Sequence, residues 1–218
     1  MKQLLYILFA IVTLGGFYAC SESTDAEEEF PNWQANNEAY MKDTLAYANK
    51  QIAQAKSQWG DAWEEHCDWR VYRSYCNPEG SKSTWEDSIA VRIMERGTGS
   101  GCPMYTDSVR VTYFGRILPS TSYPEGYVFD HTGLSNKLSE VMDTRYEAPS
   151  LFKTSNVIEG WTTALMQMHI GDYWRVFIPA NMAYGTAGTS GIPSYSTLIF
   201  DMRLKAYYRA GTITGTWY

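Results

Sequence analysis

One stretch, residues 157–201, holds the side chains best suited to a site. It carries Val157-Ile158-Glu159-Gly160-Trp161, then Ile178-Pro179, Ala183-Tyr184-Gly185, Ile192-Pro193 and Thr197-Leu198-Ile199-Phe200-Asp201. Aromatic and β-branched residues dominate it, with no obvious nucleophile or metal-ligand spacing among them. Such a set points to a pocket that works by shape and dryness and not by covalent chemistry. The chain's three histidines, His66, His131 and His169, stand beside no Ser or Cys nucleophile motif, which argues against a hydrolase triad. Gly97-Thr98-Gly99-Ser100-Gly101 lacks the Lys-Ser/Thr of a phosphate loop and runs into Cys102-Pro103, so it reads as a turn. His66 next to Cys67 lacks the paired spacing of a metal site, and neither metal nor cofactor is expected.

The elements that must hold these residues read as an α+β fold. Met41, Leu45, Ala48, Ile52, Ala55 and Trp59 are spaced four and three apart, which predicts an amphipathic helix from Asn32 to Trp59, with Gly60 as its stop. That stripe can pack on its own domain, or pair with a second copy as a homodimer through residues 32–59, since the spacing is also heptad-like. Trp69–Arg73, Ile89–Glu95, Val109–Gly115, Tyr127–Asp130, Tyr173–Ile178 and Thr197–Lys205 alternate or cluster as strands. One short helix is expected over Ile158–Met168, with Trp161, Leu165 and Met168 on one face. The segment between Asp130 and Val157 is long, polar and unassigned. The organisation predicted is an N-terminal helical extension at 31–88, a sheet domain at 89–207 and a tail at 208–218.

Residues 1–19 read as a secretory signal: Lys2 is the positive start, and Leu4 to Ala19 is uncharged and mostly apolar. Cys20 follows at once, an arrangement that resembles a bacterial lipoprotein signal with Cys20 as the acylated residue; ordinary secretion is the alternative. Residues 20–30 then form a tether. Its acids, Glu22, Asp25, Glu27, Glu28 and Glu29, are either a solvated linker or a sorting signal. The expected place is the cell envelope of a Gram-negative bacterium, with the membrane met through a lipid anchor. The formal net charge of −6 and the lack of a Lys/Arg cluster exclude a nucleic-acid partner. Of the remaining cysteines, Cys67 and Cys76 are the pair nearest in sequence for a disulfide.

Taken in order, Val111-Thr112-Tyr113-Phe114-Gly115, Val128-Phe129-Asp130, Val157-Ile158-Glu159-Gly160-Trp161, Ala183-Tyr184-Gly185, and Ile192-Pro193 with Thr197–Asp201 resemble the FKBP-type peptidyl-prolyl cis-trans isomerases. The resemblance covers about residues 89–207. It implies an FKBP-like, five-stranded antiparallel sheet curled around one short helix. It implies catalytic roles for Tyr113, Phe129, Asp130, Tyr184 and Phe200, and substrate contacts from Val157, Ile158, Trp161 and Ile192. Trp161 would be the floor under a proline ring, and Asp130 would either orient Tyr113 or meet the reacting carbonyl. The aromatic that family members carry shortly before the Val-Ile pair is not obvious in Ala148-Pro149-Ser150-Leu151-Phe152. Segments 116–127 and 131–156 are longer than in minimal members. The implied function is a rotamase for proline-containing peptides or unfolded exported proteins. The alternative is a non-catalytic peptide-binding or chaperone lipoprotein on the same fold.

Overall fold

The computed structural model describes residues 28–78, 80–134 and 148–215. The expected signal sequence, Cys20, most of the expected tether and residues 135–147 lie outside the described residues. Helix α1 spans Trp33–Trp59 and a four-residue helix, α2, spans Trp63–His66. Strand β1 (Trp69–Arg73) precedes β2 (Ser88–Glu95), β3 (Ser108–Arg116), β4 (Val128–His131) and β5 (Ser150–Lys153). Helix α3 (Glu159–Leu165), β6 (Tyr173–Ile178) and β7 (Leu198–Tyr208) complete the chain.

All pairings are antiparallel, in the order β1-β2-β6-β7-β3, with β4 and β5 both on the outer edge of β3. The sheet therefore has seven strands and not the five the resemblance implies. Two facts account for the difference. β1, inside the expected helical extension, pairs with β2 from Trp69↔Arg92 to Arg73↔Ser88, so part of 31–88 is continuous with the sheet. The outer edge of β3 is shared: Ser108–Val111 pairs with β5, and Phe114–Arg116 with β4. β5 had no sequence signal, because only Leu151 and Phe152 of its four residues are apolar and Leu151 is exposed.

The two-residue period of the strands decides what each face buries. Ile89, Val91 and Ile93, Val109 and Val111, Trp174, Val176 and Ile178, and Leu198, Met202 and Leu204 all turn to one side and enclose α3. Ala90, Phe177 and Ile199 turn to the other, where Met41, Leu45 and Ala48 of α1 cover them. The first half of the heptad-like stripe, Met41, Leu45 and Ala48, is thus used on the protein's own sheet. Ile52 is half-buried, and Trp59 is 45% exposed and stacks on His66 at 3.8 Å. On that back face Arg175 and Asp201 stand directly opposite each other in β6 and β7 and join through two bonds of 2.6 and 2.7 Å. Cys67, Cys76 and Cys102 are all free thiols, so the expected Cys67–Cys76 bridge is not formed.

Candidate active site

Helix α3 is short but fixed from several sides. Gly160 lets it lie against β6: a Cβ there would fall 2.4 Å from Ile178 Cγ2. Thr162 Oγ1 donates to the Thr154 carbonyl at 2.8 Å, and Ser74 Oγ donates to the Glu159 carboxylate in the first turn. Glu159 also suits the positive end of the helix. With α3 so placed, Trp161 points into the curl of the sheet and is only 4% exposed.

Three rings stand on edge around this indole. Tyr113 from β3 lies 4.9 Å away at 87°, Phe200 from β7 at 5.1 Å and 79°, and Phe152 from β5 at 5.5 Å and 82°. Phe129 from β4 continues the wall, edge-on to Phe200 at 5.4 Å. Edge-to-face contact is the favoured geometry for such pairs and adds about 0.5–1.5 kcal/mol to each beyond area burial. The result is a box with the indole as floor and perpendicular rings as sides. Its cavity of about 440 Å³ is also lined by Asp130, Asn156, Val157, Ile158 and Tyr184.

Close approach of the walls depends on Gly115. It pairs with Phe200 across β3 and β7, and a Cβ there would lie 2.5 Å from Phe200 Cε1 and 2.8 Å from Phe129 Cζ. The polar groups sit at the rim. Tyr113 Oη donates to Asp130 Oδ2 at 2.7 Å. Burial pushes the Tyr113 phenol up, and the bond to Asp130 adds to the shift, so this hydroxyl stays protonated. Tyr184, 40% exposed, stands at the mouth. The carbonyl of Ile158 is occupied by Trp161 N–H and Thr162 N–H, while its own N–H meets no acceptor among the described residues.

Eight of the nine site residues expected from sequence therefore line one cavity, and Asp130 is beside Tyr113 as one of its two readings required. Ile192 is the exception. It is 4% exposed, packed in the main core, and its exposed edge faces a second groove with Tyr123 and Tyr127. Ile192 lies in the hairpin where Thr189 and Ile192 pair, and it is not among the residues lining the Trp161 cavity. Phe152 and Asn156 were not anticipated as lining residues. Phe152, five residues before Val157, supplies the aromatic wall that the sequence left open. Its signal was the aromatic itself, masked by the polar surroundings of β5.

The structure thus presents an antiparallel sheet curled over one helix, with the Trp161 indole at the floor of a largely aromatic cavity. Residues 100–205 match the sequence model of the FKBP-type peptidyl-prolyl cis-trans isomerases, and over these residues the chain is similar to that family. It is similar to a macrophage infectivity potentiator of Trypanosoma cruzi, 40% identical over 117 residues, which is 53% of this chain and 51% of that protein. It is also similar to an outer membrane protein MIP of Legionella longbeachae, 36% identical over 123 residues, 56% of this chain and 45% of the other. The chain spans about half the length of these curated relatives. Among solved structures it is similar to FkpA from Escherichia coli, with 25% identity, 96% of this chain and 72% of that one covered, and a TM-score of 0.46.

Proposed function

We propose that this protein is a peptidyl-prolyl cis-trans isomerase that acts on proline-containing segments of exported proteins. The observation that carries the reading is the indole of Trp161 lying under an open cavity, with Tyr113, Phe152 and Phe200 on edge about it. The barrier to rotation about an X–Pro bond is about 18–20 kcal/mol, and it comes from amide resonance. At the top of that barrier the amide is twisted and its carbonyl is less polar than in the planar form. A dry aromatic box therefore disfavours the planar ground state more than the twisted state, which is differential stabilisation. Each tenfold acceleration needs about 1.4 kcal/mol, within the reach of packing and a few hydrogen bonds.

In this reading Trp161 supports the pyrrolidine ring, and Phe129, Phe152 and Phe200 keep water from it. The N–H of Ile158 and the hydroxyl of Tyr184 hold the peptide backbone. Asp130 is held in place by Tyr113 and acts at the rim. No proton is transferred and no covalent bond forms. A proline tetrapeptide assay on the full chain tests this. Acceleration over buffer, lost in Phe129→Ala while the fold is kept, is the expected result. A well-folded wild type no faster than buffer overturns catalysis, and peptide binding without acceleration would favour the chaperone reading.

The proposed setting is the cell envelope, with acylated Cys20 as the anchor. Lys2, the apolar run from Leu4 to Ala19 and the immediately following cysteine support it. The name of the Legionella relative as an outer membrane protein agrees. The proposed division is an N-terminal extension at 31–88, an isomerase domain at 89–207 and a tail at 208–218, with β1 of the extension joined to the isomerase sheet. A homodimer through residues 32–59 would have to use the outward side of α1, where Tyr47 and Trp59 are exposed.

A further inference from the structure

The loop from Ala183 to Thr197 carries Tyr184 to the mouth of the cavity and returns to β7. Its first end is fixed by its own backbone, with Ala183 N–H and Gly185 N–H both donating to the Ala180 carbonyl. Its last end is fixed by α1. Trp33 Nε1 donates to Ser196 Oγ at 3.0 Å, and Ser196 Oγ in turn donates to the Pro193 carbonyl at 2.6 Å. One turn along the helix, buried Asn37 accepts the Thr197 N–H through Oδ1 at 2.7 Å. These partners are 163 and 160 residues apart in the chain.

Two backbone observations single out this junction. The described chain has two non-glycine residues with positive φ, Asn32 at 51° and Tyr195 at 63°. Each is the residue just before one member of the Trp33–Ser196 pair. Asn tolerates the left-handed region; Tyr does so at a cost, and such a conformation persists only where its surroundings enforce it. Tyr195 lies between its own bond to the Gly185 carbonyl and the grip of α1 on Ser196 and Thr197. The surroundings that enforce it are therefore supplied from outside the loop.

We propose that Trp33 and Asn37 are positioning residues of the isomerase site: they clamp the return of the 183–197 loop and so set where Tyr184 meets the substrate. The inference rests on the isomerase reading. The clamp places the start of α1, next to the tether, in charge of the mouth of the cavity, although it touches no substrate. Losing it loosens a binding contact without touching the floor or walls, so KM should rise while kcat holds.

The test uses the full chain. Trp33→Phe keeps a ring and deletes the donor, while Ser196→Ala deletes the acceptor and serves as the second variant. In each, KM for a proline tetrapeptide is expected to rise about fivefold with kcat within about twofold of wild type. Adding Tyr195→Asn, which suits positive φ, should restore KM in the Trp33→Phe background, a rescue that general destabilisation would not show. Hydrogen exchange at the Gly188 and Tyr195 amides should speed up in Trp33→Phe and slow again in the double variant. Unchanged KM and unchanged protection in both single variants overturn the clamp, as does failure of the rescue. An inactive wild type whose loop protection still depends on Trp33 would overturn the isomerase reading and leave the clamp standing.

Discussion

Replacing Gly115 by Ala should damage the site more than the fold. Its added Cβ would lie 2.5 Å from Phe200 Cε1, and 2.8 and 2.9 Å from Phe129 Cζ and Cε2. Non-bonded carbons settle at about 3.5–4.0 Å, so each ring must retreat by about 1 Å. Phe200 has little room: it is 4% exposed and already edge-on to Trp161 at 5.1 Å. Phe129 is seated on Phe200 and can move only by giving up that contact. Overpacking of this kind costs about 1–3 kcal/mol. Gly115 sits in a paired strand without positive φ, so the penalty is contact and not backbone strain. Denaturant unfolding should show about 2 kcal/mol lost. The rings that move are cavity walls, so kcat/KM for a proline tetrapeptide should fall about tenfold or more, with the protein still folded at the assay temperature. Phe129→Leu in the same background removes part of the clash and should recover stability. A Gly115→Ala protein with wild-type stability and activity would refute the packing argument.

Tyr113→Phe removes the bond to Asp130 but leaves the ring in the wall. Asp130 is exposed and regains water, so about 1 kcal/mol of stability and only a few-fold of kcat/KM should be lost, checked by unfolding and steady-state kinetics. Asp201→Asn strips Arg175 of a bidentate partner, and Arg116 lies close enough to repel it. Because Arg175 keeps some exposure, the cost should be near the low end for a broken buried pair, about 3 kcal/mol, read by denaturant unfolding. Alkaline pH should also destabilise the fold. Burial raises Tyr72 to about 12 and raises Tyr113 as well, from an ordinary value of 10.0. A raised folded value means the stabilising contribution is complete below about pH 10 and fades as pH climbs toward the folded values, so the unfolding midpoint should hold to about pH 10 and then drop. Tyr72→Phe should soften that drop.

The site was more legible than the frame around it. Trp161, Tyr184 and Phe200 sit in short blocks whose order and spacing were informative, and strands such as β3 and β7 alternate strongly enough to be read directly. α1 was visible as a stripe, and its helix begins within one residue of the expected start. What failed to show was decided by long-range pairing. β5 has little apolar content of its own and becomes a strand only because half of the β3 edge is left for it. Phe152 could not be assigned to the wall before that pairing was known. Ile192 is apolar and follows glycine, as a pocket residue can, but it is buried in the core and borders a different groove. The partner of the Met41, Leu45 and Ala48 part of the α1 stripe likewise came from Ala90, Phe177 and Ile199 on the opposite sheet face. Periodicity along the helix carries no information about that surface.

In the proposed mechanism the box works by excluding water and not by moving a proton. The most direct measurement is kcat/KM for cis–trans exchange of a proline tetrapeptide by the full chain, in light and heavy water and across neutral to mildly alkaline pH. A solvent isotope ratio of about 1 and a flat profile are expected, since no general acid or base takes part in the proposed mechanism. A ratio of about 2 or more, or a bell-shaped profile with two inflections, would contradict it.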